Sequence, residues 1–323
     1  MIRLRGHKRN ESMVYDQRYD PYFRRCGLLA FVLNFNREPP VHNSTAITAL
    51  LDRWRPETHT FHLSLGEMTI TLEDMAMISG LPIHGRALTG KVLPQGWKER
   101  VRGLIGVEPE PWTNPNKKDP RSNGVLYSWI REHRVYCPHN VQESVVEHYA
   151  RAYLWHLLTL VVFPDCSGDT ASWMYLDPLR DWDVQWSWGT AALAFLYRQV
   201  KLICICINVY VMHMFIEFQT LTIEILNVQL DEACRRTRDN SNLGGFVWAL
   251  QIWMWERLPV GRPISKKPQE EWEWDFDGEA ERFPTIAYTW ANVDVFTAPS
   301  MGRYKSYINE LDTLTHHQVI ELS

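Results

Sequence analysis

Along residues 43–90 the spacing of hydrophobic side chains changes period repeatedly, and this stretch predicts more structure than any other. Ile47, Leu50, Leu51 and Trp54 recur at steps of three and four, the stripe of a helix. Asn43 or Ser44 can cap its start by accepting from the first free N–H groups. Pro56 removes a backbone donor and disfavours helical geometry at Arg55, so the helix should end there. Two β-prone runs follow, Thr58–Leu63 and Glu67–Thr71, on either side of Ser64-Leu65-Gly66. Gly66 is free to take positive φ, and the pattern predicts a hairpin. Thr71 and Asp74 have the spacing of a capping box, opening a short helix with Leu72, Met75, Ala76 and Ile78 facing inward. Gly80 suits the C-cap, and Pro82 prevents the helix continuing.

The rest of the chain alternates helical stripes with polar connections. Residues 125–136 read as a helix. A long, largely buried one begins near Val141, with Val145, Tyr149, Ala152, Leu157 and Leu160 on its apolar side. After Trp186–Gly189, with Ser187 or Thr190 as cap, a further helix presents Leu193, Leu196 and Tyr197 on one face. Gly244 and Gly245 permit a turn before a core stripe of Phe246, Leu250, Trp253 and Leu258 that Pro259 ends. A closing helix lies within Tyr307–Val319. Residues 91–125 are rich in Pro, Lys, Asn and Gly, and residues 261–284 are charged, so both predict surface loops.

Residues 200–229 break this pattern. With these 30 residues removed, Leu230, Ala233 and Cys234 continue the preceding stripe after Arg198-Gln199 at steps of three and four. The segment begins with Val, whose codons start GT, and ends with Gln, one of whose codons ends AG. We read it as an in-frame intron left in the coding sequence, with a genuine helix or strand pair packed on the core as the alternative. A membrane span is not favoured. Leu202–Ile216 has only 15 residues, interrupted by Asn208 and His213, and a span needs about twenty.

The order of residues in the first stretch resembles the plant mobile domain, the family around the MAINTENANCE OF MERISTEMS-like proteins. The matching residues are Arg53-Trp54-Arg55-Pro56-Glu57-Thr58-His59-Thr60-Phe61-His62, then Gly66–Thr69, Gly80–Ile83, Gly85-Arg86 and Thr89-Gly90. Further matches, among them Arg151–Tyr153, Phe163–Asp165 and Trp186–Gly189, extend the resemblance over most of residues 20–320. The segment 200–229 has no counterpart in the family pattern. The resemblance implies a domain over 20–323 interrupted by 200–229, behind a basic flexible N-terminus at 1–19. It implies nuclear roles in meristem maintenance, transposon silencing and genome stability, often beside a plant serine/threonine phosphatase. Members also occur inside transposable elements, and the family carries the label "aminotransferase-like".

Composition narrows the setting. In 323 residues that are 45% hydrophobic there is chain enough for one large domain or two small ones. The 15 tryptophans fall mostly at helical spacings, which points to buried side chains. A net charge of −4 excludes a protein whose whole surface grips nucleic acid. The basic run Arg3, Arg5, His7, Lys8 and Arg9 reads as a solvated tail able to touch phosphates or aid nuclear entry. Six cysteines without a CxxC pair, and no secretory signal at the start, predict a reducing compartment, nucleus or cytosol.

Candidate chemistries fail on context. Gly85–Val92 approaches a phosphate-binding loop, but Val92 stands where a hydroxyl should hold magnesium, and Pro94 and Gly96 interrupt the helix that should follow. His59 and His62, three apart on a strand, would point to opposite faces. His133, Cys137, His139 and His148 lack the paired spacing of a zinc site. Asp165, Asp169, Asp177, Asp181 and Asp183 read as caps and turn residues, not as a two-metal carboxylate site. No lysine sits beside a plausible cradle for pyridoxal phosphate, so the aminotransferase label finds no chemical support. The metal-binding motifs of the phosphatase class are absent too, as are a nucleophile elbow and a Cys–His signature.

The resulting expectation is one mainly α-helical domain with a small β-hairpin near residues 59–70, without cofactor, metal or catalytic residues. Its output is contact, on a surface around Arg53, Trp54, Arg55, Glu57, His59, His62 and Arg86. A protein partner, such as the family's phosphatase, comes first, with chromatin or DNA as a further partner and no membrane. A transposon-derived DNA-binding protein is the alternative, and an undetected metal-dependent enzyme is the third.

Overall fold

The computed structural model describes residues 3–4, 13–36, 42–89, 96–110, 120–164, 169–212, 242–263, 285–290 and 301–319. It is mainly helical, with small sheets of two or three strands. The helices run α1 (Asp20–Arg25), α2 (Leu29–Phe35), α3 (Ser44–Leu51), α4 (Leu72–Ser79), α5 (Trp97–Ile105) and α6 (Tyr127–Arg134). Then come α7 (Glu143–Val161), α8 (Trp188–Met212), α9 (Val247–Arg257), α10 (Ile286–Trp290) and α11 (Met301–Asp312). The strands are β1 (Arg3–Leu4), β2 (Trp54–Arg55), β3 (Thr60–Leu63), β4 (Gly66–Met68), β5 (Gly124–Leu126), β6 (Thr170–Ser172) and β7 (Asn242–Leu243).

Helix α7 is buried on every side from Ala150 to Val161, as an all-round apolar helix must be. Around it pack α2, α5, α6 and β6. A second group joins α4 to α8, α9 and α10, while α3 lies along α11. β2, β3 and β4 form an antiparallel sheet with Trp54 opposite Phe61 and His62 opposite Glu67. β5 and β6 pair antiparallel, and β1 pairs with β7 in parallel. The two groups share one aromatic core, from Phe23 and Tyr153 beside α7 to Phe61 and Trp253 behind the hairpin.

The local signals in the sequence produce the expected bonds. Asn43 caps α3 by accepting from Ala46 N. Thr71 and Asp74 form both bonds of the capping box, and Gly80 ends α4 in the left-handed region at φ 69°. Gly66 turns the β3–β4 hairpin at φ 123°. The stripe of Phe246, Leu250, Trp253 and Leu258 is fully buried.

Four expectations need correction. Trp54 does not prolong α3; its backbone pairs with Phe61 in the sheet and its ring lies 4.9 Å from the Phe61 ring. Cross-strand aromatic packing there outweighs the helical spacing. Val125 and Leu126 are strand, so the helix expected over 125–136 starts at Tyr127. The loop expected over 91–125 contains α5, which turns Trp97, Val101, Leu104 and Ile105 inward. Of the flexible N-terminus expected over 1–19, residues 13–19 belong to the fold: Asp16 caps a 3₁₀ turn, and Met13 and Tyr19 are buried. Within the segment 200–229, α8 continues unbroken to Met212, and residues 213–229 lie outside the described residues. So do most of the basic run and residues 264–284.

Candidate interaction surface

The residues expected to form a contact surface separate into three groups. Trp54 is only 2% exposed and belongs to the core. Arg53 is also largely covered, its guanidinium donating to the Ile308 carbonyl at 3.1 Å and pairing with Asp312, which ties the hairpin to α11. Arg55, Glu57, His59 and His62 remain exposed on the hairpin. His62 pairs with Glu67 at 2.9 Å, and Thr60 donates to the same carboxylate, holding the Glu67 carboxyl below the usual range. His59 is not on a strand. It sits in the turn at φ 57° and stacks on the Tyr197 ring of α8, nearly parallel at 6.2 Å. Arg86 lies apart from the hairpin, over the Trp186 ring at 5.1 Å.

Residues suspected of chemistry serve structure. Gly85 and Arg86 close against Gln185–Ser187, with Arg86 N donating to the Gln185 carbonyl and Ser187 N to that of Arg86, each at 2.9 Å. A Cβ on Gly85 would stand 2.4 Å from the Gln185 oxygen, so this glycine permits a close backbone approach. Gly90–Val92 lie outside the described residues. Arg25 clamps Asp183 through two N–H groups at 2.9 and 2.6 Å. Asp181 accepts from Asp183 N, Asp177 pairs with Arg180, and Asp169 accepts from Thr170; Asp165 lies outside the described residues. His133 bonds the Trp129 carbonyl, His139 bonds Tyr136, and His148 sits against Gly106. Burial pushes the Cys26 thiol up to about 12 and raises that of Cys137, so both stay protonated. Among the described residues no three histidine, cysteine or carboxylate side chains gather to hold a metal ion. No helix among them is long and apolar enough to cross a membrane.

A concave site lies elsewhere. Between α5, the Trp173–Arg180 turns and the start of α8 opens a cavity of about 560 Å³. Its walls include Trp97, Phe163, Trp173, Trp186 and Phe195, and Arg100, Arg180 and Arg198 contribute guanidinium groups. The walls are fixed by stacking and by indole N–H bonds. Trp173 stacks on Trp155 at 4.8 Å and on Trp97 at 5.8 Å. The Trp173 indole donates to the Arg121 carbonyl at 2.6 Å, and the Trp186 indole to that of Pro178 at 3.0 Å. A second hollow of about 360 Å³ shares Ala194 and Arg198 of α8 with the cavity and is also lined by His59 and Tyr197. Thus His59, singled out from sequence, borders a surface that sequence reasoning missed.

Arg151 ties together two elements that border the cavity. From the middle of α7 its guanidinium donates to the Leu104 carbonyl of α5 at 2.7 Å and the Leu179 carbonyl at 2.8 Å. It also pairs with Glu147 and lies 5.0 Å from the Trp182 ring centre. Burial acts to raise the Glu147 carboxyl, but the Trp182 indole N–H and the Arg151 charge outweigh it, and the group titrates below the usual range. The only sequence signal for this role was a cation inside an apolar stripe.

A sequence model described as plant mobile domain matches residues 34–321. Protein MAIN-LIKE 1 of Arabidopsis thaliana is 31% identical over 294 residues, covering 90% of this chain and 46% of its own length. Protein MAINTENANCE OF MERISTEMS of the same plant is 35% identical over 224 residues, 68% of this chain and 39% of its own. A serine/threonine-protein phosphatase 7 long form homolog, also from Arabidopsis thaliana, is 34% identical over 220 residues, 67% of this chain and 13% of its own. The chain therefore spans less than half the length of each of these relatives. No solved structure matches it.

Proposed function

Because the chain belongs to the plant mobile domain family, we propose that it is a non-enzymatic interaction module of the nucleus, acting in meristem maintenance, transposon silencing and genome stability. The observation that carries this reading is the preformed concave surface, walled by tryptophan and phenylalanine and edged by arginine, the side chains that dominate macromolecular contacts. Ionisable groups elsewhere in the fold are taken up in structural pairs, which supports the same reading. Asp74, Arg53 and Asp183 are each engaged in pairs that join one element to another, and Glu147 pairs with Arg151 along α7.

A protein partner comes first, and a plant serine/threonine phosphatase first among those. What supports that choice is the relative bearing the phosphatase name, in which a region like this chain makes up 13% of the length. Purification of the tagged chain from plant nuclei should recover such a phosphatase, with no substrate turnover by the purified protein. Turnover, or nuclear extracts that yield no specific partner, would refute the reading. A second reading, a transposon-derived DNA-binding protein, is favoured by the arginine edge alone. It predicts binding to duplex DNA that weakens steeply with salt.

A further inference from the structure

We propose that the cavity between α5, the Trp173–Arg180 turns and α8 takes a short acidic segment of a partner protein. An apolar side chain of that segment fills the aromatic pit, and its neighbouring carboxylates meet Arg100, Arg180 and Arg198. The inference rests on the interaction-module reading and says where that module makes its contact and with what.

Three observations lead there. The first is shape. A hollow of about 560 Å³ with stacked, hydrogen-bonded walls has the size of a ligand site and needs little ordering on binding. The second is charge. Among the described residues, Arg100, Arg180 and Arg198 line the hollow with one carboxylate, Asp177, which pairs with Arg180 at 3.0 Å, and Arg100 is itself already engaged. Both partners of that pair are about half exposed, so the pair is weak and exchangeable. Arg198 is exposed and has no salt bridge among the described residues. Guanidinium groups bind carboxylates through paired, charge-assisted hydrogen bonds. The third is extent. A second hollow beside His59 and Tyr197 is lined by the same Ala194 and Arg198, so a segment lying across these two residues can reach both hollows.

The same charges separate a peptide from a nucleic acid. Over its described lining residues the site is positive, on a chain whose net charge is −4. A short acidic segment feels mainly the local field, whereas a long polyanion also feels the repulsion of the whole chain.

The test is fluorescence anisotropy on the full chain with a fluorescein-labelled peptide alternating glutamate with leucine and tryptophan. A counterpart with lysine for glutamate and a labelled oligothymidine are the controls. The acidic peptide should bind and the lysine peptide should not, with affinity falling as salt rises. Arg198→Glu should weaken binding by about tenfold or more, since it turns attraction into repulsion. Ala194→Trp, at an exposed position, should abolish it by filling the hollows that Ala194 lines. Unchanged melting curves would confirm that both variants fold. Equal binding of the two peptides, indifference to both substitutions, or preference for oligothymidine would overturn the assignment. If both variants still recover the nuclear partner and the peptide fails to bind, the assignment falls and the module reading stands. If no partner is recovered by the unaltered chain, the module reading itself fails.

Discussion

Replacing Arg151 with methionine tests the link between the core and the groove most directly. The residue is 4% exposed in the middle of α7, and methionine keeps an unbranched apolar stem while deleting every donor. The wild-type guanidinium serves the carbonyls of Leu104 in α5 and Leu179 in the Trp173–Arg180 turns, two elements that border the cavity. Hydrogen bonds from a charged donor contribute about 1.5–3 kcal/mol each, so the two together contribute about 3–6 kcal/mol. The ion pair adds little: the Glu147 side chain is 34% exposed, and a pair that open to water contributes under about 1 kcal/mol. Removing a desolvated guanidinium returns part of the loss, which leaves a net cost of about 3 kcal/mol, the low end for breaking a buried pair from one side. At about 2–4 °C per kcal/mol for a domain of this order, melting followed by circular dichroism should fall by about 6–12 °C. Arg151→Lys should lose nearly as much, because one ammonium cannot replace a planar fork aimed at carbonyls on two elements. A loss below about 1 kcal/mol would refute the reasoning, since that is the value of a surface ion pair. An equal loss from Glu147→Gln would also refute it, by placing the energy in the pair and not in the carbonyl bonds.

Three further outcomes can be measured on the same protein. Asp74→Ala removes the α4 capping box and the carboxylate that Arg257 of α9 contacts, and should lower stability in urea by about 2–4 kcal/mol; a loss near zero would contradict it. Glu147 titrates below its ordinary range when folded, so the unfolded chain binds its proton first, and the stabilisation, complete above about pH 4.3, is lost as pH falls through the folded value. Glu147→Gln should therefore flatten the drop in urea midpoint between about pH 5 and pH 3.5, and an unchanged acid limb would count against the pairing. Finally, we propose that the transcript lacks codons 200–229. Val200 is 1% exposed, and the deletion places Leu230 at that buried helical position, so the shortened chain should fold and melt cooperatively. A transcript that retains those codons, or a deletion that unfolds, would reverse that proposal.

What the chain determined by itself are the features made by bonds between residues three to five apart. Asn43, the Thr71–Asp74 box, Gly66 and Gly80 do what their chemistry requires whatever surrounds them. The stripe of Phe246, Leu250, Trp253 and Leu258 was legible for a related reason, because a fixed helical period puts those positions on one face. Trp54 shows where this stops. Its spacing continued the α3 stripe, yet its backbone pairs with Phe61, seven positions on, because burying two rings together outweighs one further helical turn. Helix α5 carried its own signal in Trp97, Val101, Leu104 and Ile105, and the proline- and lysine-rich flanks hid it. The groove had no local signal at all. Its walls come from positions between 88 and 198, and only the tertiary arrangement brings the arginines of three separate elements around one aromatic floor. Sequence fixes which residues can cap, turn or be buried; the distances between them belong to the tertiary structure, because non-local contacts are settled by packing the whole core at once.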